Sequence, residues 1–328
     1  MLRSTLLLIA LLPGAYAART LDIYFIDVEG GQSTLLVSPS GQSLLIDAGY
    51  TGFGGRDADR IAKAAKTAGV KRIDYLLVTH FHSDHVGGVP NLLERLPVSV
   101  FLDHGTSIEE NGKYPGPYAA AIAKGEHRVI APGDTIPVKG LDITILAAAG
   151  KVIQRKGDPN PYCVGLAPHP ESEGDEAGEN SQSAALVVQF GKFRFGDFGD
   201  ITWNKELALL CPENKAGRLD LSLTTHHGGE SPKAIWALSP RAAIMNNGPC
   251  KGGDPAGWKV VTGIPGLEDL WQLHFAVAGG KEANVADPLI ANVDESCTGQ
   301  YLKVSAAADG SFTVFNARNK YTKTYAAR

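Results

Sequence analysis

Beyond its first residues, the sequence has no long apolar run, no dense run of lysine or arginine, and no CxxC cysteine pair. The first absence excludes a transmembrane helix in the mature chain, since a span needs about 20 consecutive apolar residues. The second, with a formal net charge of −4, argues against tight, salt-dependent binding to a long nucleic-acid backbone. It leaves cleavage of a small phosphodiester open. The third argues against a cysteine zinc cluster. Trp203, Trp236, Trp258 and Trp271 show no spacing suited to stacking on bases. No fixed-period repeat is visible, which argues against a solenoid.

What is present begins with a short leader. Residues 1–17 carry Arg3, an apolar run from Leu6 to Leu12, and an Ala15-Tyr16-Ala17 cleavage pattern. That pattern predicts a secretory signal peptide and an exported protein, periplasmic or secreted, with residues 18–328 forming one domain. An oxidising compartment permits two disulfides among Cys163, Cys211, Cys250 and Cys297. Cys250 with Cys297 is the favoured pair, both lying in loop-like sequence near the C-terminus. Buried free thiols are the alternative.

Residues 21–28, 34–38 and 43–49 read as a β-meander, with the Gly-rich turn EGGQS and the turn Pro39-Ser40-Gly41-Gln42 between its strands. Helical periodicity follows at 56–70, ending near Gly69. Residues 73–79 read as a buried strand and 89–96 as a helix. A hairpin turning at Gly191-Lys192, a helix over 201–210, and strands at 219–225 and 242–247 come later, before a final hairpin at Asp309-Gly310. Two groups of strands interspersed with helices predict an α+β protein, with two sheets packed face to face and helices outside.

The strand 73–79 runs into HFHSDHVGG, placing His80, His82, Asp84 and His85 within six residues. Imidazole nitrogens and a carboxylate suit Zn²⁺, with Mn²⁺ or Fe as alternatives. His80 and His82 can point together while Asp84 and His85 turn toward a neighbouring point, an arrangement for one or two ions. A polar surface turn is the bland alternative, and four ligand-type side chains in six residues speak against it. Other candidates end strands. Asp200 follows 193–197 and is preferred over Asp197 as a ligand; a helix N-cap is its structural alternative. His226-His227 follow LDLSLTT, one imidazole for metal and the other for substrate. Asp47 closes SLLIDAG and reads as a carboxylate orienting a ligand imidazole. His104 reads as a loop histidine and His274 as a packed core histidine.

These residues resemble the metallo-β-lactamase superfamily, whose H-x-H-x-D-H hallmark stands here as His80-Phe81-His82-Ser83-Asp84-His85. The resemblance runs from about Leu21 to about Asn247 and implies a four-layer αβ/βα sandwich. It implies Asp47 beside the ligands, Asp200 as the bridging carboxylate and His226 as the last ligand. Asn180 stands where the family's third first-site histidine is expected, and Asn is a poor Zn²⁺ ligand. His169 in the acidic loop is one replacement the sequence offers. IDVEGGQS, Asn180-x-x-Ser183 and His226-His227-Gly228 are similar to the hydrolase domain of DNA-uptake competence-channel proteins, although Glu29 replaces a usual glycine. That subgroup has a similar change at the third histidine, and with the related phosphorylcholine esterases it implies phosphodiester cleavage.

The function expected is an exported metal-dependent hydrolase using a metal-bound hydroxide, with Asp84 and His227 acting on a small-molecule or short phosphodiester substrate. β-Lactam or lactone hydrolysis is the alternative, and a non-catalytic metal- or ligand-binding protein is a third reading from another class. A lysine or arginine beside the metals would favour phosphate. An apolar loop there would favour a lactam.

Overall fold

In the computed structural model, which describes residues 20–170, 177–229 and 231–328, the strands are apolar on both faces because both faces are covered. Alternation along each strand divides the side chains between layers. Ile23 and Phe25 point into a central core with Leu44, Ile46, Ile143, Ile145, Leu186 and Val188. Tyr24, Ile26 and Leu45 point the other way, onto Ala58, Ile61, Ala64 and Ala65 of the helix Arg56–Thr67. Ala185 and Val187 face a third cluster with Leu207 and Leu210 of the helix Trp203–Leu210 and Val261 of the helix Pro255–Thr262. The result is helix, sheet, sheet, helix, the four-layer sandwich the resemblance implies.

The meander forms as expected, Leu21–Phe25, Thr34–Val37 and Ser43–Ile46 pairing antiparallel in sequence order. Parallel pairing then extends this sheet through Ile73–Leu77, Val98–Asp103 and Glu126–Val129. On its other side, Leu302–Ala306 pairs antiparallel with Leu21–Phe25 and is followed outward by Phe312–Asn316 and Thr322–Tyr325. The second sheet runs Ile290–Asn292, Asp269–His274, Ala242–Met245, Leu221–Leu223, Phe193–Asp197, Ala185–Phe190, Asp142–Ala148, Lys151–Val152. Phe193–Asp197 and the four strands from Leu221–Leu223 to Ile290–Asn292 are mutually parallel. In such sheets ligands bind beyond the carboxyl ends of the strands. The loops leaving those ends carry Asp47, His80 to His85, Asp200, His226, His227 and Asn246.

The cysteine pairing differs from the expected one. Cys163 and Cys211 form the disulfide, while Cys250 is a free, exposed thiol and Cys297 a free, partly buried one. Cys297 Sγ is taken up instead by Asp27 Oδ2, 3.2 Å away. The bridge ties the turn Pro161–Cys163 to the end of the helix Trp203–Leu210 and closes a separation of 48 residues. Loop-closure entropy for that length is worth about 4 kcal/mol. Unfolding in urea of a Cys163→Ala/Cys211→Ala variant is expected to show a loss approaching that figure; an unchanged midpoint would contradict it. Among the described residues no helix is long and apolar enough to cross a membrane. The leader 1–17 lies outside the described residues.

Candidate metal centre

Asp47 organises the hinge between strand and site. It follows Ser43–Ile46 with a left-handed backbone (φ 59°), a conformation that Asp tolerates better than most residues. Its Oδ1 accepts from the Thr79 amide and its Oδ2 from the Thr79 hydroxyl, both at 2.7 Å, fixing the exit of the adjacent strand. The same Oδ2 lies 2.7 Å from His85 Nδ1. Nδ1–H donating to that carboxylate leaves the Nε2 lone pair facing the site, the tautomer a metal ligand needs. Asp84 and His85 sit on the short helix Ser83–Val86. Gly31 packs on that helix so closely that a Cβ there would lie 2.5 Å from the Asp84 carbonyl oxygen, which accounts for a glycine in EGGQS.

Four ligand atoms converge: Asp84 Oδ2, His85 Nε2, Asp200 Oδ2 and a ring nitrogen of His227, all from buried residues. His85 Nε2 lies 3.2 Å from each carboxylate and 3.3 Å from His227 Nε2. His227 Nε2 lies 3.1 Å from Asp84 and 3.2 Å from Asp200. A tetrahedron with metal–ligand bonds of about 2.0–2.1 Å has edges of about 3.3–3.4 Å. The observed separations match it. Two imidazole nitrogens facing each other at 3.3 Å are also poorly served by a hydrogen bond alone and well served by a shared cation.

The electrostatics agree with that reading. Burial opposes charge on Asp84, yet His85 and His227 hold its carboxyl well below the usual range. Asp200, also buried, is held well below by His227 and His85. Against burial, Asp200, Asp84 and Asp47 raise His85 well above the ordinary imidazole value, and Asp200 with Asp84 raises His227. Without a cation, imidazolium charge balances the two carboxylates; with one, those protons leave. Asp197 goes the opposite way. Burial pushes its carboxyl up to about 7, against hydrogen bonds from the Gly199 amide and the Gln32 side chain. Two carboxylates at one strand end are thus driven apart by their surroundings, and Asp200 is the one among the converging ligands.

The remaining expected residues stand around this group. His80 is buried, its Nε2 3.9 Å from Asp200 Oδ2. Burial and the neighbouring His85 charge hold it well below the usual range. His82 is turned outward, 3.5 Å from Glu109. Asn180 Nδ2 lies 3.4 Å from His226 Nε2. His80 Nε2, Asp200 Oδ1 and Asn180 Oδ1 are buried without a hydrogen-bond partner. Orphaned polar atoms of this kind fit a position for a second, less completely held ion beside the first. His169 does not contribute: it stacks on Trp203, with ring centroids 4.4 Å apart.

The second histidine of the doublet, not the first, lies among the converging atoms. His227 is inside the group, its side chain 1% exposed, whereas His226 is 34% exposed with Nε2 3.7 Å from Asp200. Both have left-handed backbones (φ 50° and 56°), and this turn swings the second histidine inward. Such strain in non-glycine residues concentrates at functional sites. Asn246 meets His227 Nδ1 at 3.1 Å through its amide. With that amide turned, its otherwise unpartnered Oδ1 accepts Nδ1–H and leaves Nε2 for a metal.

Sequence reasoning missed three supports. Lys251 Nζ contacts Asp84 Oδ2 from 167 residues away. Glu179, buried beside Asn180, accepts from His104 at 2.7 Å, Ser107 at 2.8 Å and the Phe81 amide at 3.3 Å, bracing the loop under His80 and His82. His104 is therefore a buried support for this loop. Glu29 has a φ of 58°, which explains why a glycine suits that position, and its carboxylate is held by Arg56 and Arg60. Of these supports, Glu179 lies beside Asn180 and Glu29 lies within IDVEGGQS, both stretches the sequence had marked, whereas Lys251 lies in neither.

Because Asp47 fixes His85, Asp47→Asn is expected to lower metal affinity about 10- to 100-fold with the fold retained. Competition against a chromophoric chelator measures it, and unchanged affinity would contradict the role.

The family model described as "Metallo-beta-lactamase superfamily" matches residues 26–178, which include Asp47 and the His80–His85 motif. The chain is 32% identical over 80 residues to a ribonuclease Z of Alkaliphilus oremlandii, covering 24% of this chain and 23% of that protein. It is 31% identical over 116 residues to a hydroxyacylglutathione hydrolase of Xylella fastidiosa, covering 35% and 36%. The matched region thus spans about a quarter to a third of these relatives. Among solved structures, the metallo-beta-lactamase fold protein YhfI from Bacillus subtilis aligns with a TM-score of 0.48 at 11% identity, covering 87% of this chain and 99% of that one. Residues 26–178, which carry strands of the two-sheet sandwich and the motif at their ends, match the metallo-β-lactamase superfamily.

Proposed function

We propose that the protein is an exported metal-dependent hydrolase of phosphodiesters. Asp84, His85, Asp200 and His227 would hold one ion, and His80 and His82 would offer nitrogens to a second. Zinc is the metal this N/O donor set favours. When bound, the metal supplies Lewis-acid polarisation and an activated water at neutral pH. Asp84 also positions that water, and Asp47 and Asn246 keep the ligand imidazoles in the required tautomers. His226, on the exposed side of Asp200, passes a proton to the leaving group. The roles of the doublet are therefore the reverse of the sequence-based assignment.

Lys251 is the observation that carries the substrate class. Its ammonium sits on Asp84 and its side chain is partly exposed. The Asp84 charge raises it above its usual value despite burial, so it is a fixed positive charge where a substrate anion would enter. A phosphodiester carries that anion through the reaction; a neutral lactone does not. The similarity to a protein named ribonuclease Z and to the competence-channel hydrolase subgroup points the same way. The similarity to hydroxyacylglutathione hydrolases favours acyl substrates, and lactone or β-lactam hydrolysis stands as the second reading on that ground. The Cys163–Cys211 disulfide and the leader support export.

Lys251→Met separates the phosphodiester reading from the lactone one. Loss of a charge-assisted contact is expected to lower kcat/KM for a diester about 10- to 100-fold, mostly through KM, and to leave a neutral lactone nearly unaffected. Equal losses on both substrates would remove the basis for the phosphodiester reading.

A further inference from the structure

Away from the metal centre, three chemically different ligand side chains meet at residues distant in sequence. Asp27 follows the strand Leu21–Phe25, His274 ends the strand Asp269–His274, and Cys297 lies in the segment after Ile290–Asn292. One ligand atom from each lies within 4.8 Å of the other two. Asp27 and His274 are fully buried and Cys297 is partly buried. We propose that Asp27, His274 and Cys297 form a second metal site, taking a zinc-type divalent cation through carboxylate oxygen, imidazole Nε2 and thiolate sulfur.

The imidazole carries the proposal. His274 Nε2 is buried without a hydrogen-bond partner, although a buried polar nitrogen left unpaired is costly. Its Nδ1 faces the Phe275 carbonyl at 3.4 Å. Donation from Nδ1–H to that oxygen places the lone pair on Nε2, as in metal-ligating histidines whose other nitrogen is tied to a carbonyl. Asp27 Oδ2 and Cys297 Sγ are 3.2 Å apart, close to the tetrahedral edge of about 3.5 Å set by Zn–S of about 2.3 Å and Zn–O of about 2.0 Å. Three protein ligands leave the fourth position for water or for Glu29, whose Oε1 is 3.7 Å from the sulfur.

Arg60 is the competing feature. Its guanidinium reaches Asp27 Oδ2 at 3.4 Å and Cys297 Sγ at 3.5 Å. Its shorter ion pair, at 2.8 Å, is to Glu29. A dication bound by one carboxylate and one thiolate is neutralised by them and leaves Arg60 to Glu29. Binding releases the thiol proton and needs no oxidant. Burial, with Asp27 beside it, pushes the Cys297 thiol up to about 12, so this cysteine is not a free nucleophile. The site would pin the Cys297 segment and the end of Asp269–His274 to the root of the Gly-rich loop 27–33, which packs on Asp84 through Gly31.

Cobalt substitution tests this independently of catalysis, because the converging ligands of the first centre contain no sulfur. In a Cys250→Ser background, stripped of metal and titrated with Co²⁺, a near-ultraviolet thiolate-to-cobalt band is expected. It should persist in Asp84→Ala and vanish in Cys297→Ser, which keeps the visible absorption of the first centre. Absence of the band, or its survival in Cys297→Ser, overturns the proposal.

Discussion

Asp84→Ala is expected to lower hydrolysis on the order of a thousandfold or more and to lose the tightly held metal ion. Asp84 Oδ2 is one of the four converging ligand atoms, 3.2 Å from His85 Nε2 and 3.1 Å from His227 Nε2. Truncation leaves two imidazoles facing one carboxylate, Asp200, and leaves Lys251 without its counter-charge. Leaving charged groups unpaired in a buried site is costly, so the variant is also expected to lose stability in its metal-free form. Elemental analysis of the purified variant, with turnover measured alongside, separates the effects. Full activity at wild-type metal content would show that the chemistry lies elsewhere.

The histidine doublet provides the second large effect, and its value lies in the contrast. His227→Ala is expected to release the ion and with it on the order of a hundredfold or more of activity. His226→Ala is expected to keep the ion and to lose about 10²-fold or more in kcat, with the loss concentrated on substrates whose leaving group needs protonation. A leaving group as acidic as p-nitrophenol should be affected least. If instead His226→Ala loses metal and His227→Ala does not, the ligand order first implied by the sequence stands and the inward turn of His227 has been misread.

How far these residues were legible from the sequence depended on how local they were. His80, His82, Asp84 and His85 lie in six consecutive residues after an apolar strand, so composition and order alone mark them. Asp200 was legible because it stands just after an apolar strand, and its imidazole neighbours rather than burial separate it from Asp197. Which of His226 and His227 turns inward was not legible. It depends on two consecutive left-handed backbones, which no side-chain pattern announces. Lys251 was hidden because a single lysine far along the chain has no motif, and only the parallel strands of the second sheet return its loop to Asp84. The same holds for the fold. Strands and their two-faced apolar character read directly, but the return of Leu302–Ala306 to pair with Leu21–Phe25 is a long-range choice. Disulfide pairing failed for that reason too: Cys250 and Cys297 share a composition and a region, not a position.

Hydrolysis of bis(p-nitrophenyl) phosphate by the metal-reconstituted protein, compared with the same preparation stripped of metal, tests the central claim most directly. Turnover that appears with Zn²⁺ or Mn²⁺ and disappears on chelation is expected. No diester turnover with either ion, alongside metal-dependent opening of a lactone or β-lactam, would contradict the phosphodiester reading; no metal-dependent turnover of any of them would contradict the hydrolase itself.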